Sequence, residues 1–122
     1  MSRVLIVDDE ESVRTVVSAF LQRRGYEVVA VGSGPMALAR LIGFHPDMIL
    51  LDIRMPGMDG IETLRKIREL VPSTPVIMVT ATDEEEVAHE ALRIGACDYI
   101  TKPFSFEQLD THLAVHMLMD RV

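Results

Sequence analysis

Tryptophan is absent from this chain, cysteine occurs once, and basic residues are outnumbered by acidic ones, 12 to 19. Each shortage removes a class of protein. A single cysteine, Cys97, cannot build an internal disulfide framework and fits the reducing cytoplasm; it reads as a small buried apolar residue. The net charge of −7 argues against direct nucleic-acid binding, because phosphate backbones need concentrated Lys and Arg. No apolar run approaches the roughly 20 residues of a membrane span, so no membrane association is expected. The opening MSRVLIVDD turns acidic after a short apolar run, unlike a signal peptide. What remains, 48% hydrophobic residues in 122, predicts one compact domain over 1–122 whose core needs no covalent staples.

Short apolar runs alternate with amphipathic helical patterns. The runs are 4–7, 27–31, 48–51, 76–79 and 99–100; the helical patterns cover 10–24, 34–43, 60–70, 83–94 and 106–119. Near-continuous apolarity marks strands covered on both faces, as in a parallel sheet. Gly25, Gly43 and Gly95 each suit a left-handed residue ending a helix, and Pro35 suits a first turn. Asp59 with Glu62, Thr82 with Glu85, and Ser105 with Gln108 have the spacing of an N-cap and its reciprocal partner. Successive βα units with right-handed crossovers predict a doubly wound α/β fold with a five-stranded parallel sheet, (βα)5.

The stretch MILLDIRMPG places Asp52 at the end of an aliphatic run, where an ionised carboxylate needs either water or groups that favour its charge. In open α/β sheets ligands collect at the carboxyl ends of the strands. There the first strand offers Asp8 and Asp9, the third Asp52, the fourth Thr80, and Lys102 follows the fifth. Singly, each has a plain structural role as cap or solvated loop residue. Jointly, three carboxylates on one rim repel one another unless a divalent cation lies among them. All-oxygen donors point to Mg2+, with Mn2+ as the alternative. Phosphoryl transfer would use this set: Asp52 as nucleophile, Asp8 and Asp9 holding metal, Lys102 neutralising phosphoryl oxygens and Thr80 hydrogen-bonding one of them.

The segments VLIVDDE at 4–10, ILLDIRMPGMDG at 49–60, PVIMVTA at 75–81 and DYITKPF at 98–104 together resemble a response-regulator receiver domain of two-component signalling, end to end. The resemblance implies a flavodoxin-like sheet of order 2-1-3-4-5. It implies that Asp52 accepts phosphate from a sensor histidine kinase or phosphotransfer protein. Asp9 would bind the metal directly, Asp8 through water, and the Arg54 backbone carbonyl would complete the site. Thr80 and Tyr99 would be the switch pair, Lys102 the phosphate-binding lysine, and Lys102–Pro103 a cis bond. Arg54 and Thr82 would flank the path of hydrolytic water, with Arg54 slowing hydrolysis. The signal would leave through the surface of the fourth helix, fifth strand and fifth helix, toward an output domain or target protein, or into a homodimer. Such a domain promotes only its own phosphorylation and dephosphorylation and is not otherwise an enzyme.

On the fifth helix Phe106, Leu109, Leu113 and Met117 form a core stripe, while Val115, Leu118, Met119 and Val122 lie opposite, as chance, a dimer seam or a continuing helix would place them. His112 and His116, one turn apart and without an apparent third ligand, read as a solvated face; His45 and His89 have no evident partner. The methionines read as core filler, and the acidic run 83–86 suits a helix start with no ligand of its own. Three rivals remain. A flavin module would need a donor-rich loop where Asp8-Asp9-Glu10-Glu11 stands, and an aromatic platform. An aspartyl-phosphate phosphatase would carry a second acid where Arg54 stands. A receiver-like interaction module that is never phosphorylated would not need Asp8, Asp9, Asp52, Thr80 and Lys102 together.

Overall fold

The computed structural model describes residues 2–55, 57–81 and 83–120, without the side chains of Met119 and Asp120. In chain order the elements are β1 (Arg3–Val7), α1 (Glu11–Arg23), β2 (Glu27–Val31), α2 (Gly34–Phe44), β3 (Met48–Asp52), α3 (Gly60–Leu70), β4 (Val76–Ala81), α4 (Glu85–Ile94), β5 (Asp98–Lys102) and α5 (Phe106–Asp120). The five strands form one parallel sheet in the order β2-β1-β3-β4-β5, the expected topology.

Strand alternation divides the core in two. Leu5, Val7, Ile49, Leu51, Val76 and Met78 face a layer containing Ala37 and Leu41 of α2, Leu64 and Ile67 of α3, and Ala88 and Ala91 of α4. Val4, Ile6, Met48, Leu50, Ile77 and Ile100 face Val17 and Leu21 of α1 and Leu109, Leu113 and Met117 of α5. Both faces are covered, which is why the central strands read as unbroken apolar runs. Asp8 follows Ile6 in this alternation, Asp52 follows Leu50, and Asp98 and Lys102 flank Ile100. All four thus belong to the α1/α5 face, whereas Tyr99 and Thr80 belong to the other.

Ser105 and Gln108 form the full reciprocal box, at 2.9 and 3.1 Å, and Asp59 Oδ1 accepts from the Glu62 N–H at 2.9 Å. Pro35 occupies the first turn of α2, which Ser33 caps. Several expectations are corrected. α4 starts at Glu85 after Glu84, with no side-chain cap; Thr82 lies outside the described residues. Gly43 lies inside α2, which runs on because Phe44 is buried, and His45 takes the left-handed position at φ 52°. Cys97 is exposed, not buried. Phe106 is 41% exposed, its ring stacked on Phe20 rather than in the core. His89 has a ring partner, Tyr99, edge-on at 6.0 Å. Buried Met48, Met55, Met78 and Met117 do fill core, but Met36 is exposed. Val115 and Leu118 are exposed as expected; the Met119 side chain and Val122 lie outside the described residues. Among the described residues no helix is long and apolar enough to cross a membrane.

Candidate functional site

The carboxyl ends of β1 and β3 are neighbours, because Val7 pairs with Leu51. The chain leaves β1 through Asp8, whose N–H donates to the Val31 carbonyl at 3.1 Å and whose own carbonyl accepts from Arg14 Nη1 at 2.8 Å. Asp8 Oδ1 accepts from the Glu10 N–H at 2.9 Å. Backbone and carboxylate of this residue are therefore both fixed. On β3, Asp52 Oδ1 accepts from the Arg54 N–H at 3.2 Å, and α3 returns tightly, with Gly60 N–H on the Ile53 carbonyl at 2.9 Å.

One carboxylate oxygen from each of Asp8, Asp9 and Asp52 lies within 4.8 Å of the others. Asp8 and Asp52 are buried and Asp9 is exposed, so the cluster opens outward on the Asp9 side. Lys102 Nζ lies 3.0 Å from Asp8 Oδ2, 3.5 Å from Asp52 Oδ2 and 3.7 Å from Glu10 Oε1. Burial would lower the Lys102 pKa, but the Asp8 hydrogen bond and the surrounding carboxylates raise it, so the ammonium stays charged. Asp52 is pushed up to about 6, first by burial and then by Asp8, against the opposing pull of Lys102 and the Arg54 N–H. One lysine thus leaves the carboxylates in residual repulsion. Hard oxygen donors with unrelieved negative charge fit a divalent cation of the Mg2+ kind.

Asp9, Asp52 and Lys102 line a cavity of about 310 Å3 together with Glu10, Ile53, Arg54, Ala81 and Glu84. Thr80 is not among its lining residues. It is buried on β4 with its hydroxyl donating to the Ala81 carbonyl at 3.1 Å, facing the other side of the sheet. Tyr99 shares that side and pairs in register with Met78, one pleat step from Thr80. The Lys102–Pro103 peptide is cis.

Three features escape sequence reasoning. Asp83 and Glu84 are not simply a helix start: Arg54 pairs through Nη2 with Asp83 at 3.2 Å and through Nε with Glu84, bridging the loops after β3 and β4. Arg14 braces Asp8, for which the sequence carries no signal beyond a nearby cation. And His112 and His116 do have a third partner, Asp98.

Comparison with known proteins agrees with this geometry. Residues 4–114 match the response regulator receiver domain family. The regulatory protein AtoC of Escherichia coli K12 is 46% identical over 110 residues, covering 90% of this chain and 24% of AtoC. The alkaline phosphatase synthesis transcriptional regulatory protein PhoP of Bacillus subtilis is 40% identical over 111 residues, 91% of this chain and 46% of PhoP. The chain thus spans between about a quarter and a half of these curated relatives. Among solved structures, Vibrio cholerae chemotaxis protein CheY4 superposes with a TM-score of 0.89 at 37% identity, over 93% of this chain and 97% of that one. NtrX from Brucella abortus gives 0.94 at 31% identity, over 99% of this chain and 28% of that one. With the family matched over most of its length, this chain belongs to the response regulator receiver domains of two-component systems.

Proposed function

We propose that residues 1–122 form one receiver domain, a cytoplasmic signalling switch whose Asp52 accepts a phosphoryl group from a sensor histidine kinase or phosphotransfer protein. The observation that carries this reading is the convergence of Asp8, Asp9 and Asp52 within 4.8 Å, with Lys102 Nζ 3.5 Å from the Asp52 carboxylate, in an open cleft. An Asp52 carboxyl with a pKa of about 6 is mostly ionised at neutral pH, so a nucleophilic oxygen is available. In the transfer an Asp52 oxygen forms the O–P bond as the donor N–P bond breaks, and the electron pair departs to the donor imidazole. The Arg54 N–H fixes the carboxyl plane for this approach. Lys102 balances charge on the phosphoryl oxygens as its contact with Asp8 gives way.

Asp8, Asp9, Asp52 and the Arg54 backbone carbonyl would hold Mg2+, or Mn2+ in its place. Bound there, the cation supplies charge neutralisation for two anions brought together.

The product carries nearly two added negative charges and strong acceptor oxygens. Thr80 would exchange its Ala81 hydrogen bond for one to a phosphoryl oxygen, and Tyr99, a pleat step away on the same face, would shift with it. The surface of α4, β5 and α5 then presents a second arrangement to an output domain, a target protein or a second copy, without direct nucleic-acid contact. The domain would process only its own phosphoryl group. Acetyl phosphate or phosphorylated kinase with Mg2+ should add one phosphoryl group by intact mass, and Asp52→Asn should abolish the addition; an unlabelled wild-type chain would overturn the assignment.

A further inference from the structure

On the α1/α5 face of β5, away from the acidic cleft, Asp98 Oδ2 lies 2.6 Å from His112 Nδ1 and 2.9 Å from His116 Nε2. The histidines are four residues apart on α5, so both rings leave the same side of the helix. One ligand atom from each of the three residues lies within 4.8 Å of the others. We propose that Asp98, His112 and His116 form a binding site for a borderline transition-metal dication of the Zn2+ class, clamping β5 to α5.

The donor set decides the class of ion. Two imidazole nitrogens and one carboxylate oxygen suit Zn2+, Co2+ or Ni2+, whereas Mg2+ prefers the all-oxygen cluster at Asp8, Asp9 and Asp52. The two sites therefore select different metals. Zn–N and Zn–O bonds of about 2.0–2.2 Å require the donors to separate slightly from their present hydrogen-bond distances, a small rotation of side chains that are already convergent. Side-chain exposures of 29% for Asp98, 34% for His112 and 16% for His116 leave the cluster reachable from solvent yet held by packing on both elements. A second hydrogen bond, from the Tyr99 N–H to Asp98 Oδ1 at 2.8 Å, orients the carboxylate. Three protein ligands leave a fourth tetrahedral position for water or a partner's donor.

The geometry also assigns the coordinating atoms: His112 through Nδ1 and His116 through Nε2. Each ring would present its coordinating nitrogen as the unprotonated one, with its N–H on the other nitrogen. The neighbouring Tyr99 couples the site to the face that Thr80 occupies, so metal occupancy would bias the α4–β5–α5 surface.

The experiment is a Zn2+ titration of the 122-residue protein in saturating Mg2+, which keeps the acidic cleft filled. Calorimetry should show one Zn2+ per chain, and nitrogen-15 spectra of the histidine rings should shift at His112 Nδ1 and His116 Nε2. Co2+ should give the visible bands of a tetrahedral site. His112→Gln and His116→Gln should each weaken binding at least roughly tenfold while leaving Asp52 phosphorylation intact. Should either variant fail to fold, the ring spectra of the wild-type protein decide alone. No stoichiometric binding, binding that survives both substitutions, or ring shifts at His45 and His89 instead would overturn the proposal.

Discussion

Lys102 Nζ stands 3.0 Å from Asp8 Oδ2, closer than to Asp52, so the lysine that would balance charge on a phosphoryl group first serves the acid that follows β1. A bound cation would compete with this lysine for the same negative charge. Lys102→Met is therefore expected to bind Mg2+ several-fold more tightly than the wild-type chain while accepting phosphate more slowly, since the charge opposite the phosphoryl oxygens is gone. Mg2+ titration with parallel acetyl phosphate labelling separates the two effects. Weaker Mg2+ binding in the variant would mean that Lys102 positions Asp8 rather than competing for it.

Asp52 makes stability depend on pH in an unusual direction for a carboxylate. Its pKa is raised from 3.8 to about 6, so folding favours the protonated form. The stability this contributes is fully present below about pH 4 and lost as pH rises through 6. At pH 7.5 ionised Asp52 thus costs the metal-free fold about 3 kcal/mol relative to an unshifted carboxyl, at about 1.4 kcal/mol per pKa unit. Asp52→Asn should exceed wild type in unfolding free energy by up to this amount at pH 7.5 without Mg2+. The gap should close by pH 4 and shrink when Mg2+ is added. Urea melts across that range check it, and a pH-independent gap would assign the effect to packing.

Gly60 is the point where α3 touches the end of β3. A Cβ there would fall 2.4 Å from the Asp52 carbonyl oxygen and 2.6 Å from Ile53 Cα. Both are backbone atoms of the segment carrying Asp52, so neither can give way cheaply. Gly60→Ala is expected to destabilise the fold by about 2–3 kcal/mol and to slow Asp52 labelling by displacing its carboxyl. Thermal melts and labelling rates measure both, and a fully stable variant with normal labelling would show that the turn can open.

The cysteine illustrates exposure without reactivity. Cys97 is solvent-exposed, yet desolvation by nearby protein, together with the charge of Asp98, pushes its thiol up to about 11. The thiolate is the nucleophile, so at pH 7.5 alkylation should run roughly tenfold or more slower than for a free thiol, even after allowing for the higher nucleophilicity of a basic thiolate. Iodoacetamide rates against pH test this; a rate plateau near pH 9 would contradict it.

The sheet was legible because burial on both faces removes polar residues from β1, β3 and β4, so Asp8 and Asp52 stand out as breaks at their ends. The sequence shows β5 only as Tyr99–Ile100, because this edge strand carries polar residues on both faces, Asp98 and Lys102 beside Ile100 and Thr101 beside Tyr99. So short a run leaves Asp98 outside the strand, and nothing in the sequence aims it at His112 and His116 of α5. Gly43 misled because local preference for glycine at a helix end yields to the burial of Phe44 one residue later. The destination of Arg54 was illegible for a different reason. A long side chain at a loop start can reach several acids, and only the spacing of the β3 and β4 ends selects Asp83 and Glu84.

That destination bears on how long the acyl phosphate would last. Arg54 Nη2 lies 3.2 Å from Asp83 Oδ2, and Nε meets Glu84, both across the mouth of the cleft that holds Asp52. The pair is exposed on the arginine side, so its contribution to folding is small and screened by salt. Its placement matters more than its strength: the guanidinium bridges the loops after β3 and β4, so water bound for the Asp52 carboxyl would have to pass it. Arg54→Ala keeps the backbone N–H that holds Asp52 Oδ1 and removes only the bridge. Dephosphorylation should accelerate about two- to tenfold, equivalent to roughly 0.4–1.4 kcal/mol of barrier, with little change in melting temperature. Glu84→Gln should give a smaller acceleration, because Asp83 still holds the guanidinium. Raised salt should hasten wild-type hydrolysis toward the Arg54→Ala rate while leaving the variant itself unchanged. An unaltered half-life in Arg54→Ala would place the water's path elsewhere.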